Sequence, residues 1–350
     1  GEHCRNVWRA LNAVGAEVSI VDIYGVSKNP DNEFEREAAA SFQARLECDI
    51  SIFCINGNEV EECVNALRSR GVELESTYSI IFPMWELAKY PQEWAEELDR
   101  FDEIWVSSEF VRLSIGPAVS NRVFTMPLAC EPPPISLKQV FRRDIRPDCF
   151  LFFFAFDFLS FIERKNPYAA LRAFNLVLER SCSSAIPHFL IKTNNSQARP
   201  EDLSEFRDQI EEMRNHVTWV DGTLKKSEMG GLLWRSDCFI SLHRSEGFGF
   251  GMAEAMSLGI PVVCTGYSGN MAFCNSENAK LVDYELKGLN PGDYPHWEGQ
   301  EWAEPSIEHA AQCMMEVMSC RSEALAISRS GSETMADEFS FFSAGLNYVS

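Results

Sequence analysis

Two glutamates, Glu246 and Glu254, stand with seven residues between them on either side of the loop Gly247-Phe248-Gly249-Phe250-Gly251. Glycines let a backbone approach a ligand closely and leave its N–H groups free to donate. A helix N-terminus favours a phosphate or another anion. Ionised carboxylates only accept hydrogen bonds, so their natural partners are sugar hydroxyls. Phosphate-binding donors beside hydroxyl-binding acceptors point to a nucleotide-sugar ligand. A dinucleotide motif fits less well. Gly247-x-Gly249-x-Gly251 lacks that fingerprint's last glycine spacing, and the carboxylate lies too near to be its ribose acid.

The flanking residues say how the loop is held. Cys238-Phe239-Ile240-Ser241-Leu242 is an apolar run that reads as a buried strand. Met252 to Leu258 reads as a helix, with Gly259 as its cap and Pro261 as a stop. Val262-Val263-Cys264-Thr265 is then the next parallel strand, and Tyr267-Ser268-Gly269-Asn270 ends it. Ligands of open parallel sheets sit at the carboxyl ends of strands, where this loop falls. A second constellation lies upstream in Ile162-Glu163-Arg164-Lys165-Asn166-Pro167, between a Phe-rich strand and a helix that Pro167 can start. Arg164 and Lys165 are thereby placed at a strand-to-helix turn on the ligand side of the sheet.

The segment EGFGFGMAEAMSLGIPVV resembles the donor-site signature of family 4 (group 1) retaining glycosyltransferases. The resemblance implies the GT-B fold, in which two Rossmann-like parallel α/β domains face a cleft. It implies that Glu246 contacts the transferred sugar and that Glu254 holds the nucleotide ribose. Gly247, Phe248, Gly249, Phe250, Gly269 and Asn270 would line the donor site. Members of the family carry a lysine where Lys165 stands, and cations there stabilise the departing diphosphate. The arginine usual near the end of the preceding strand is replaced by Phe156-Asp157-Phe158, leaving Arg164 or Lys192 to supply the second charge. Glu86, after the strand Thr77–Phe82, takes the place of an acceptor-side or catalytic group, and Trp85 is expected to stack on a sugar face or to be core. Gly1-Glu2 resembles the end of a diphosphate-site loop, so Glu2 is counted with the donor residues and the first strand of that domain is expected to be missing. His243 reads as a packed histidine, and the WAEP element Trp302–Pro305 as structural.

Composition narrows the partners. Of the chain's 350 residues, 31 are basic and 52 acidic, a net charge of −21. Residues 1–150 carry 15 basic and 25 acidic residues and the remainder 16 and 27, so both halves are acidic. That argues against nucleic acid and against docking on anionic lipid. The longest apolar run, Phe150–Phe156, is far too short to span a bilayer and suits a strand buried on both faces. The 12 cysteines form no C-x-x-C pair and the 6 histidines no metal motif. Free cysteines in a reducing cytoplasm, with no metal and no cofactor beyond the nucleotide-sugar donor, are the expectation.

Along the chain, an amphipathic helix with Val7, Trp8, Leu11 and Val14 on one face is followed by strands at Val18–Val21, Asp49–Ile55, Thr77–Phe82, Glu103–Ser107 and Val123–Met126. Pro132-Pro133-Pro134 starts a linker. A second series begins at Phe150 and continues through His188–Lys192, Val217–Val220 and the donor segment. The composition of Gly288–Glu304 reads as a long loop, and helices run from about Ser306 to Met335. The expected domains are residues 1–135 for the acceptor, 136–324 for the donor, and 325–350 as a C-terminal helix crossing back. The expected reaction is metal-independent transfer of a hexose-type sugar, with retained configuration, to a hydroxyl of a glycan or small molecule, in polysaccharide biosynthesis. Two rival readings are a sugar-nucleotide epimerase, which lacks this glutamate pair, and a non-catalytic or impaired nucleotide-sugar-binding protein.

Overall fold

Strands that are apolar at every position, rather than at every second one, need cover on both faces. The computed structural model describes residues 1–23, 32–43, 48–136, 149–182 and 184–350, and in it these strands form parallel sheets. The chain divides into two units: residues 1–129 with 338–350, and residues 130–337.

In the first unit, β1 (Ile20–Val21) pairs in parallel with β2 (Phe42–Gln43), apart from the main sheet. The main sheet orders β3 (Ile50–Phe53), β4 (Tyr78–Ile81), β5 (Glu103–Val106) and β6 (Val123–Thr125) side by side, all parallel. The strand expected at Val18–Val21 is thus only two residues long and lies outside the four-stranded sheet. Two apolar residues and a polar start do not hold a central position in a sheet. The helix Glu2–Ala13 packs against the last helix, Phe341–Val349, at a close backbone approach. A Cβ on Gly345 would stand 2.1 Å from the Ala10 carbonyl oxygen, so only glycine fits there. Tyr348 stacks on Trp105 and donates its hydroxyl to the Pro127 carbonyl at 2.6 Å.

The second unit carries a six-stranded parallel sheet. Its strands are β7 (Cys149–Asp157), β8 (Ile186–Asn194), β9 (Val217–Asp221), β10 (Cys238–Ser241), β11 (Val262–Thr265) and β12 (Lys280–Val282). The spatial order is β9-β8-β7-β10-β11-β12. Counted within the unit, that is 3-2-1-4-5-6, the order of doubly wound nucleotide-binding sheets. β7 is Phe-rich because it is central: Phe152, Phe153 and Phe154 are all buried, with neighbours Phe174, Phe189 and Phe239 around them. The helix Pro167–Arg180 opens with proline in its first turn and an Asn166 cap, and the helix Phe250–Ser257 is followed by Gly259 at φ 69°.

The segment expected as a loop from Gly288 to Glu304 is pinned at both ends. β13 (Tyr284–Gly288) pairs antiparallel with β14 (Glu301–Pro305). Composition hides this hairpin because its two strands are short and find each other across the intervening Gly- and Pro-containing stretch. Trp302 and Ala303 are buried, which fixes β14. Among the described residues no helix is long and apolar enough to cross a membrane.

Candidate active site

In a 3-2-1-4-5-6 sheet the chain leaves in opposite directions from the first and fourth strands, and the crevice outside their carboxyl ends is the ligand position. Here those strands are β7 and β10. The turn after β7 carries Arg164 and Lys165; the turn after β10 carries Glu246. The structure brings these three side chains into contact. Glu246 accepts from Arg164 Nη1 at 3.0 Å through one carboxylate oxygen and from Lys165 Nζ at 2.5 Å through the other. Arg164 Nη1 also donates to the Ser245 carbonyl at 3.0 Å, and its guanidinium lies 5.9 Å from the Tyr294 ring centre.

Glu246 is 7% exposed. Burial by itself pushes its carboxyl pKa up. Lys165 and Arg164 outweigh that and hold it at about 2, so the carboxylate stays charged. One carboxylate between two cations leaves the cluster with a surplus positive charge. Arg164 is buried, whereas the Lys165 side chain is 21% exposed. An anion arriving at this crevice meets that surplus.

Local backbone strain is concentrated here. Among the described residues five non-glycine residues have positive φ, and three of them surround this cluster. Phe161 (φ 61°) and Asn166 (φ 52°) bracket the short helix Ile162–Lys165 that presents both cations. Ser268 (φ 77°, ψ −147°) lies in a region nearly reserved for glycine. Each such residue costs roughly 1–3 kcal/mol, which the surrounding contacts must offset. Ser268 shows how: its hydroxyl accepts from the Glu246 N–H at 2.8 Å, while the Gly269 N–H donates to the Glu246 carbonyl at 2.8 Å. The segment after β11 therefore grips the backbone of Glu246 from both sides. A Cβ on Gly269 would lie 2.0 Å from the Gly247 oxygen, so the two loops touch backbone to backbone.

His243 completes the frame. Its Nε2 meets two acceptors, Asn270 Oδ1 at 3.0 Å and the Tyr267 carbonyl at 3.2 Å, so that nitrogen carries the proton. The Asn270 orientation is set by its amide nitrogen, which donates to the Thr265 carbonyl at 3.0 Å. Nδ1 of His243 then accepts from the Ser241 hydroxyl at 3.0 Å. Burial lowers the His243 pKa, and a neutral ring suits both bonds. Asn270 is fully buried and committed to this network, so it positions the loop. Phe248 is likewise fully buried, against Phe250 and Phe273, so its ring is core. Gly249 (φ 100°) caps the helix Phe250–Ser257, and Gly247 precedes it in the same loop.

Glu254 lies within that helix with its side chain 24% exposed, and Lys226 approaches it only to 4.0 Å. Lys192, near the carboxyl end of β8, is 2% exposed and donates to the Thr193 carbonyl and to Asn194 Oδ1. It makes no contact with Glu246 that would join it to the Arg164–Lys165 pair. Glu2 and Glu86 belong to the first unit. Glu2 opens the helix Glu2–Ala13 and pairs with Arg5 at 3.6 Å and Arg9 at 3.9 Å. Glu86 follows β4 and is half-buried. Trp85 is 2% exposed, packed edge-on against Tyr90 and Trp94, with its indole N–H on the Lys89 carbonyl. It is core and offers no face for a sugar.

Sequence reasoning placed Ser268 only within the stretch that ends β11, and it missed Ser245 and Arg244. Arg244 donates to Glu304 at 2.8 Å and to the Glu163 carbonyl at 2.7 Å, and lies over Trp302. It ties the basic short helix to β14. The only sequence signal for it was the WAEP element itself.

Residues 153–287 match the family model described as Glycosyl transferases group 1. The chain carries a group 1 glycosyltransferase domain. That domain runs from β7 into β13 and contains Arg164, Lys165, Lys192, Glu246 and Glu254. Among solved structures, the sucrose-phosphate synthase of Thermosynechococcus elongatus is similar at 14% identity, over 99% of this chain and 91% of that one, with a TM-score of 0.70. HepE of Anabaena, solved with UDP and glucose, is similar at 13% identity, over 92% and 83%, with a TM-score of 0.63. At such identities the likeness is one of fold, and the fold is GT-B, as the sequence resemblance implied. No curated protein matches the chain in sequence.

Proposed function

We propose that this glycosyltransferase is a family 4 enzyme that moves a hexose-type sugar from a nucleoside-diphosphate sugar to an acceptor hydroxyl, with retained anomeric configuration and without a metal ion. The observation that carries the reading is Glu246, buried and charged between Arg164 and Lys165 at the strand-order switch of the donor sheet. The surplus positive charge suits a diphosphate, whose negative charge grows as the glycosidic bond breaks. The Glu246 carboxylate suits the positive character that develops on the sugar ring. Fixed cations take the part a metal would otherwise play. Glu254, partly exposed in the donor-loop helix, accepts ribose hydroxyls in this reading. The donor is assigned to residues 136–324 with Glu2, and the acceptor, a glycan or small molecule, to residues 1–135 with Glu86. The twelve free thiols suit a reducing cytoplasm.

The test is incubation with UDP-, GDP- and ADP-sugars, following hydrolysis and transfer by NMR with and without a chelator. Release of nucleoside diphosphate with an unchanged anomeric centre and no chelator effect is expected. An inverted product or chelator-sensitive turnover would overturn the corresponding part. Lys165→Ala is expected to weaken nucleoside diphosphate binding more than nucleoside monophosphate binding, by calorimetry. Equal losses for both ligands would make Lys165 a structural partner of Glu246 only. Glu254→Ala is expected to cost roughly 1–3 kcal/mol of nucleotide affinity through lost ribose hydrogen bonds. Unchanged affinity would remove its ribose role.

A further inference from the structure

Beside the switch point, at the carboxyl ends of β7, β8 and β9, lies a pocket of about 220 Å³ lined by Ala155, Phe156, Lys192, Asn194, Leu224 and Met229. Four of the six are apolar, which suits a flat ring. The two polar side chains both present donors. The Lys192 ammonium has three N–H bonds and no acceptor capacity. Two of them are used, on the Thr193 carbonyl at 2.6 Å and Asn194 Oδ1 at 2.9 Å. The nearest carboxylate on β9, Asp221, is occupied by the hydroxyls of Thr193 and Ser196. Among the described residues Lys192 therefore has no ion-pair partner, although it is 2% exposed. Burial lowers its pKa, with Asp221 and Asp157 opposing that shift. The Asn194 oxygen is committed to Lys192, which leaves its amide NH₂ as the group offered to a ligand.

Resting on the reading of the donor as a nucleotide sugar, we propose that this pocket takes the nucleobase, and that Lys192 and Asn194 select a base with a carbonyl edge over one with an amino edge. Uracil presents O4 and guanine O6, both acceptors; adenine presents N6–H₂ and cytosine N4–H₂, both donors. Two donors facing an amino group leave all of them unpaired, and a site built to hydrogen-bond one group rejects its mismatched analogue strongly. A hydrogen bond involving a charged group is worth enough to change affinity by roughly ten- to a hundredfold.

The test is calorimetry of the whole chain with UDP, GDP, ADP and CDP. Either UDP or GDP is expected to bind at least about tenfold more tightly than both ADP and CDP; which of the two leads identifies the base. Lys192→Met, close in length and apolar, is expected to shrink that ratio to within a few-fold. Asn194→Asp, which turns the remaining donor into an acceptor at a half-exposed position, is expected to shrink it too. Equal binding of all four diphosphates by the unaltered chain, or tighter binding of ADP or CDP, would overturn the base assignment while leaving the nucleotide-sugar reading intact. Binding of none of them would overturn both. A preference for UDP or GDP that persists in both folded variants would show that other groups choose the base.

Discussion

Glu246→Gln is expected to lower sugar transfer by about two to three orders of magnitude, the usual cost of removing one transition-state interaction. Glutamine keeps the size and one acceptor oxygen, so Arg164 or Lys165 retains a partner. What it removes is the negative charge, which matters most when positive character develops on the sugar. Affinity for the nucleoside diphosphate is expected to hold or rise, because the variant removes a negative charge from beside Arg164 and Lys165. Turnover and diphosphate affinity measured side by side separate the two effects. Turnover within a few-fold of the unaltered protein would remove Glu246 from the chemistry.

The same carboxylate makes the protein's stability depend on acid. Its folded pKa is about 2 against an ordinary 4.5. A depressed folded pKa contributes stability that is complete above about pH 4.5 and is lost as pH falls through about 2. A difference of that size corresponds to something on the order of 3 kcal/mol. Urea unfolding of the unaltered protein and of Glu246→Gln at pH 7, 5, 4 and 3 reads this directly. The gap between the two is expected to be widest at pH 7 and 5 and to narrow as pH drops. A gap that stays constant down to pH 3 would mean the Arg164 and Lys165 pairings do not stabilise the fold.

The donor half was legible because its signals are local. The apolar run at Phe150–Phe156, the alternation of strands and helices, and the glycine loop between two glutamates each fit within one turn of chain. The GT-B class is what the resemblance carried by the glycine-loop segment implies, and the fold bears it out. The contact between Glu246 and the Arg164–Lys165 pair spans more than eighty residues, and nothing in either segment names the other. Its two ends stand out in the sequence, but their contact does not, since strand order decides which turns meet and a sequence does not state strand order. Asn270 illustrates a second limit. It was grouped with ligand contacts because of where it falls, but its amide is spent on His243 and Thr265, a choice made by burial. Trp85 was open between sugar platform and core, and its neighbours Tyr90 and Trp94 decided for core. The conformation of Ser268 has no signal in the sequence: a serine in a glycine-like conformation is recognisable only once the backbone is seen.

The helix Phe341–Val349 has a bearing on how the protein is made. It docks on Glu2–Ala13 through Gly345 against Ala10, and on β5 through Tyr348 against Trp105, so the first unit is built from stretches on either side of the second. Domains emerging from a ribosome ordinarily fold in order, N-terminal first. Here the unit that begins synthesis first can finish only after residues 338–350 have appeared, by which time all of the donor sheet has been made. During translation the half-built first unit keeps the Ala10 face and the Trp105 ring uncovered. The donor domain, contiguous in sequence, is then the one able to mature early.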